Sequence, residues 1–85
     1  MDTKSIVLEN NQEYFVGAET NYNNTTYYFL INLNDNYDCA IRKEEGDDLV
    51  GLDDYKELEN IIMKFSSEQK DNPSFNAYMD KLKNN

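Results

Sequence analysis

The sequence predicts an α+β domain, an antiparallel β-meander of four to five strands with one or two C-terminal helices packed on one face. Three observations carry this reading. Residues 26–34, TYYFLINLN, are rich in the aromatic and branched side chains that suit a pleated, half-buried surface. Asn23-Asn24 lies between that run and an alternating one, and asparagine tolerates the positive φ of a two-residue type I′ turn. Leu58, Ile61, Ile62 and Phe65 then recur at the i, i+3, i+4, i+7 spacing of a helix stripe, and Phe75, Tyr78, Met79 and Leu82 repeat it.

Each element follows in order. Residues 5–8 are a short β-rich run ended by the turn-forming Glu9-Asn10-Asn11-Gln12. Residues 13–20 alternate, placing Tyr14, Val16 and Ala18 on one face and Glu13, Phe15, Gly17 and Glu19 on the other. With Asn23-Asn24 as the turn, Ala18 pairs with Phe29, Val16 with Ile31 and Tyr14 with Leu33, so inward residues meet inward residues. Asn34-Asp35-Asn36 makes the next turn, residues 37–43 a strand with Tyr37, Cys39 and Ile41 inward, and residues 49–52 a short edge strand. Asp53 or Asp54 caps a helix over 54–65, and Asn72-Pro73 opens a second over 73–82. Strands first and helices last argue against a parallel nucleotide-binding sheet. The first helix is expected to pack on Tyr14, Val16, Phe29 and Ile31.

Composition bounds the function. The 85 residues are read as one domain, and a chain this short buries only about 60–65% of its unfolded surface, leaving room for one modest core. Aromatics at 13% supply that core despite a mean hydropathy of -0.88. The net charge of -9 repels phosphate backbones and anionic lipid, so neither direct nucleic-acid nor membrane binding is expected, and a basic partner is favoured. A lone Cys39 suits a reducing compartment, and MDTKSIVLENN holds no run long enough for a signal peptide, so the expected location is the cytoplasm.

The stretch EEGDDLVGLDDYKELE, residues 44–59, is the most acidic in the chain. As a calcium loop the nearest register starts at Asn34, with Asn36, Asp38 and Glu45 in step, but Cys39 stands where the loop needs Gly. No spacing rule gathers Asp47, Asp48, Asp53 and Asp54 around a cation, so neither metal nor cofactor is expected. Glu44, Glu45, Asp47, Asp48, Asp53 and Asp54 form instead a candidate acidic surface, which a nucleic-acid mimic would use against a basic groove. The simpler reading is a solvated connection leading to a helix N-terminus, where carboxylates are favoured.

Catalysis finds few candidates. The chain has no His, no Walker loop and no GxGxxG, and Cys39 falls at an inward position without a His partner. No enzyme activity is expected. Val7, Phe15, Tyr28 and Leu30 fall on the face opposite the expected core and form a candidate interaction surface, unless the second helix folds over it. Left open, such a patch supports a weak homodimer that tightens as salt screens the charge of -9.

The runs SIVLENNQEYFV, NNTTYYFLINLND and DDLVGLDDYKELENIIMKF resemble a family of short acidic domains of unknown function from low-GC Gram-positive bacteria, over about residues 5–65. The resemblance implies a small cytoplasmic α+β domain with no assigned role, and it carries over no catalytic residues. The segment 75–82 and the Asn-rich turns depart from that pattern, which leaves a phage or mobile-element origin open. The expected function is a non-enzymatic protein-interaction module. The alternative is an acidic, phage-type inhibitor that mimics nucleic acid.

Overall fold

A computed structural model describes residues 5–83, apart from the side chains at 36, 37 and 83. The elements are β1 (Ile6–Val7), β2 (Glu13–Tyr22), β3 (Thr25–Asn32), β4 (Asp35–Glu45), β5 (Asp48–Val50), α1 (Tyr55–Glu68) and α2 (Pro73–Lys83). The strands form one sheet in the order β1-β2-β3-β4-β5, each antiparallel to its neighbour. This is the α+β meander with two C-terminal helices that the pattern predicts.

Asn23 and Asn24 turn the chain from β2 to β3 with φ of 52° and 62°, the left-handed pair that a type I′ turn requires. Ala18 faces Phe29 as expected. Beyond that pair the register departs from expectation: Val16 lies opposite Leu30, Phe15 opposite Ile31 and Tyr14 opposite Asn32. Gly17 is the extra residue of a β-bulge, which inverts the faces of β2 on its N-terminal side. A Cβ on Gly17 would stand 2.5 Å from Ile31 Cδ1, so the bulge is built around a missing side chain.

A second irregularity lies between the Ile31–Cys39 and Asn32–Asp35 pairs, and β4 begins at Asp35 rather than after a turn over 34–36. The side chains of Asn36 and Tyr37, including the expected inward position of Tyr37, lie outside the described residues. Glu45 pairs with Asp48 across a two-residue turn whose first residue, Gly46, has φ of 63°.

The main core lies between the sheet and both helices. Phe29 is fully buried, with ring centroids 6.2 Å from Phe65, 5.2 Å from Phe75 and 5.6 Å from Tyr78. Tilted and edge-on contacts at these separations are the arrangements that aromatic quadrupoles favour. Ile31, Ile41 and Ile61 complete the layer, with Phe15 packed against it. The helices therefore cover Phe29 and Ile31 as expected, but Tyr14 and Val16 are on the far side, displaced there by the bulge. On that far side Leu8, Tyr14 and Leu30 form a second, smaller core flanked by Ile6, Tyr28, Ala40 and Leu49. The sheet curls, so that Ser5 and Ile6 from one end share a hollow with Asp48 and Leu49 from the other.

Candidate functional site

The candidate surface of Val7, Phe15, Tyr28 and Leu30 is not assembled. Phe15 packs into the helix-side core. Leu30 is 0% exposed in the far-side core, and Tyr28 is half-buried beside it with its hydroxyl donating to Glu44 Oε2 at 3.3 Å. Val7 is exposed, but it pairs with Glu13 at the sheet's end, and Ile6 takes the packed position. The Gly17 bulge moves Phe15 across the sheet, and the curl closes over Leu30. The second helix does not cover this face; it lies on the main core through Phe75.

The six candidate acidic residues are all exposed, and they divide around the β4–β5 hairpin. Glu44, Asp47 and Asp48 rim a hollow of about 460 Å³ floored by Ile6, Val16, Tyr28 and Leu49. Glu45, Asp53 and Asp54 line a different hollow of about 430 Å³ on the helix side, with Lys43 and Glu57. There Glu57 accepts from Lys43 Nζ at 3.1 Å and from the Tyr27 hydroxyl. The Tyr27 hydrogen bond, then the Lys43 ammonium, holds the Glu57 carboxyl below its ordinary value. Burial first, and then Glu57, pushes the Tyr27 phenol up to about 12. Asp54 also has a structural task, because its side chain accepts the Lys56 N–H at 2.9 Å and caps α1. Among the described residues no three His, Cys, Asp or Glu side chains are grouped to hold a metal ion.

Cys39 is half-buried and its Sγ donates to the Ser74 carbonyl at 3.9 Å. Burial raises the thiol to about 11, with Asp38 adding to the effect, so at neutral pH it is protonated and a poor nucleophile.

The feature with the character of a binding site lies elsewhere, between the helices. Tyr55, Met63 and Leu82 are 76%, 65% and 40% exposed. With Ile62 and Met79 they line an apolar groove of about 290 Å³, and Glu59 stands on its α1 wall. Its origin can be traced in the sequence of α1. At about 100° per residue, the apolar positions run from Ile61 through Phe65, Leu58, Ile62 and Tyr55 to Met63 over an arc of about 200°, roughly twice what a core-facing stripe needs. One half of the arc meets the sheet and the other half remains beside α2. The far wall is held by the α2 cap, where Asn72 Oδ1 accepts the N–H groups of Ser74 at 3.0 Å and Phe75 at 3.3 Å. Tyr55 and Met63 fall outside the stripe that the i, i+3, i+4, i+7 spacing selects, although plotting all apolar positions around the helix axis reveals them.

Fold and groove together define a small acidic α+β protein with a helix-lined apolar surface. Compared with known protein families, with curated proteins and with solved structures, the chain finds no match in any of the three.

Proposed function

We propose that this protein is a non-enzymatic protein-interaction module that holds its partner in the groove between α1 and α2. The supporting observation is the clustering there of Tyr55, Met63 and Leu82, half of the six large apolar side chains that stand exposed among the described residues. Scattered exposed apolar residues are ordinary, but a contiguous set in a concave strip between two helices is the usual form of an interface. The net charge of -9 favours a basic partner. The lone Cys39, with its half-buried thiol, supports the cytoplasm as the working compartment. Among the described residues no helix is long and apolar enough to cross a membrane.

The nucleic-acid-mimic reading draws less support. Glu44, Asp47 and Asp48 face one side of the hairpin, while Glu45, Asp53 and Asp54 line a hollow with Lys43 on the other.

The test is affinity capture from the source cell with the wild-type chain and with Tyr55→Ser/Met63→Gln, followed by mass spectrometry. Both positions are exposed, so the variant is expected to keep the native circular dichroism and thermal midpoint. Loss of the captured partner from the variant supports the reading. Equal capture by both chains overturns it.

A further inference from the structure

Apart from the helix groove, we infer that the curled sheet carries a second docking site, the hollow between its two edge strands, and that its occupant is an extended basic segment of another protein that adds as a sixth strand. Backbone direction carries the first part. Among the described residues β1 pairs only with β2, and β5 only with β4. The Leu8 N–H donates to the Gln12 carbonyl at 3.1 Å, toward β2. Peptide groups alternate sides along a strand, so the N–H and C=O of Val7 point away from the sheet. Glu45 and Asp48 flank a two-residue turn, where the flanking pair exchanges both bonds, so the N–H and C=O of Leu49 point outward as well. Each edge therefore offers a donor and an acceptor to an incoming strand.

The topology sets how that strand lies. Each strand is antiparallel to its neighbour, so β1 and β5 run the same way. An extended segment antiparallel to one edge is antiparallel to the other and continues the meander. Ile6, Val16, Tyr28 and Leu49 floor the hollow, and Val16 is 40% exposed there. A strand sends alternate side chains to one face, so every second residue of the occupant is apolar. A helix laid in the hollow would leave both edges unpaired.

Charge selects the other residues. Residues 55–85 hold five carboxylates and five basic side chains, so the whole charge of -9 belongs to residues 1–54, and the preference for a basic partner belongs to the sheet. Glu44, Asp47 and Asp48 stand exposed around the hollow and make no ion pair among the described residues. Arg42 and Lys43 are already engaged by Glu9 and Glu57. A second copy of this chain would bring the same acidic sheet against this one and is repelled.

The experiment uses the full chain and a synthetic peptide of about eight residues alternating Val and Lys, about 26 Å long when extended. Controls are the same peptide with Gln replacing Lys, two versions N-methylated at alternate residues in opposite phases, and spermidine. The expected result is saturable binding, with amide NMR shifts centred on Ile6, Val16, Tyr28 and Leu49 and slowed exchange of the Val7 or Leu49 amide. Affinity should fall at least roughly tenfold for the Gln peptide, for at least one N-methylated phase, and in Glu44→Gln/Asp47→Asn/Asp48→Asn. It should fall roughly tenfold between low and high salt. The three substituted positions are exposed, so this variant is expected to keep the native circular dichroism and thermal midpoint.

No binding of the Val/Lys peptide overturns the inference. Undiminished binding of the Gln peptide, of both N-methylated peptides, or by the triple variant overturns it too. If spermidine binds as tightly with the same shifts, the hollow takes a bare cation instead. Self-association in sedimentation that the Val/Lys peptide disperses would make the occupant a second copy. Tyr55→Ser/Met63→Gln should bind the peptide as the wild type does, and loss of binding there would move the peptide to the helix groove. Neither residue lines the hollow, so failure of this inference leaves the helix-groove reading to its own test.

Discussion

Tyr14 and Asp38, 24 residues apart in the chain, are joined by a hydrogen bond of 2.8 Å from the phenol to Asp38 Oδ2. Asn32 Nδ2 donates to the same oxygen at 2.9 Å and also to Gln12 Oε1, and Asn10 Nδ2 donates to the Tyr14 hydroxyl at 3.0 Å. The Asn34 N–H donates to Asn32 Oδ1 at 2.7 Å. The network ties the β1–β2 turn, the end of β3 and the irregular stretch of β4 around two side chains, Tyr14 and Asn32, that are 2% and 1% exposed. Tyr14→Phe should cost about 1.5–3 kcal/mol, because the lost bond is to a carboxylate. Chemical denaturation of Tyr14→Phe, Asp38→Ala and the double variant should give a coupling above about 0.5 kcal/mol. Strict additivity would mean that water replaces the phenol.

Gly17 offers a sharper case. Gly17→Ala places a methyl against Ile31 Cδ1 at 2.5 Å in the packed core, and such overpacking costs about 1–3 kcal/mol. Ile31→Val removes the clashing carbon. The pair Gly17→Ala/Ile31→Val should therefore be more stable than the sum of the two single changes predicts, as read from denaturation midpoints. No gain over additivity would show that the backbone of the bulge, rather than Ile31, limits the site.

Ile61 is 0% exposed and Ile62 half-buried, so neighbouring isoleucines should respond unequally. Ile61→Ala should cost about 2–5 kcal/mol, and Ile62→Ala, at the groove, less than half as much. Equal losses in parallel urea titrations would require a different rotation of α1.

Stability should fall toward both pH extremes through one contact. The Glu57 carboxyl is lowered by the Tyr27 hydrogen bond and then by Lys43. The unfolded chain therefore takes up its proton first, and the contribution of Glu57, full at neutral pH, is lost as pH drops below the ordinary value of 4.5. Tyr27 is raised from 10 to about 12 by burial and then by Glu57, so its contribution is full below pH 10 and lost as pH climbs from 10 to 12. Glu57→Gln should flatten the acid limb and part of the alkaline one. Denaturation midpoints measured across the pH range would reject the contact if wild type and variant ran parallel.

Local chemistry made much of this fold legible. The Asn23-Asn24 turn depends on two residues and their φ preference, so it and the Ala18–Phe29 pair could be read directly. The helix caps at Asp54 and Asn72 are equally local. The bulge was hidden because residues 13–20 are apolar at Tyr14 and Val16 on one alternation and at Phe15 on the other, and either phase makes a sound strand. An isolated glycine inside a strand pattern was the one signal for it. The Tyr14–Asp38 bond depends on that bulge together with the irregularity in β4, and no spacing along the chain announces such a meeting. The groove is illegible for another reason: a stripe that suffices for the core gives Tyr55 and Met63 the pattern of ordinary surface.

The strict neighbour order of the sheet also bears on how the molecule comes into being. Every strand pairs with the one made just before it, through hairpins that close only short loops, and short closures carry a small entropic cost and form in microseconds. Phe29, however, must wait for Phe65 and Phe75, which come from the last third of the chain. On a ribosome the curled sheet therefore emerges with one greasy side still bare, and the final two helices arrive as its lid. By then the whole charge of -9 is already in place, since residues 1–54 hold twelve carboxylates against three basic side chains while residues 55–85 hold five of each, so the bare side is carried on a strongly self-repelling, soluble sheet until the helices arrive.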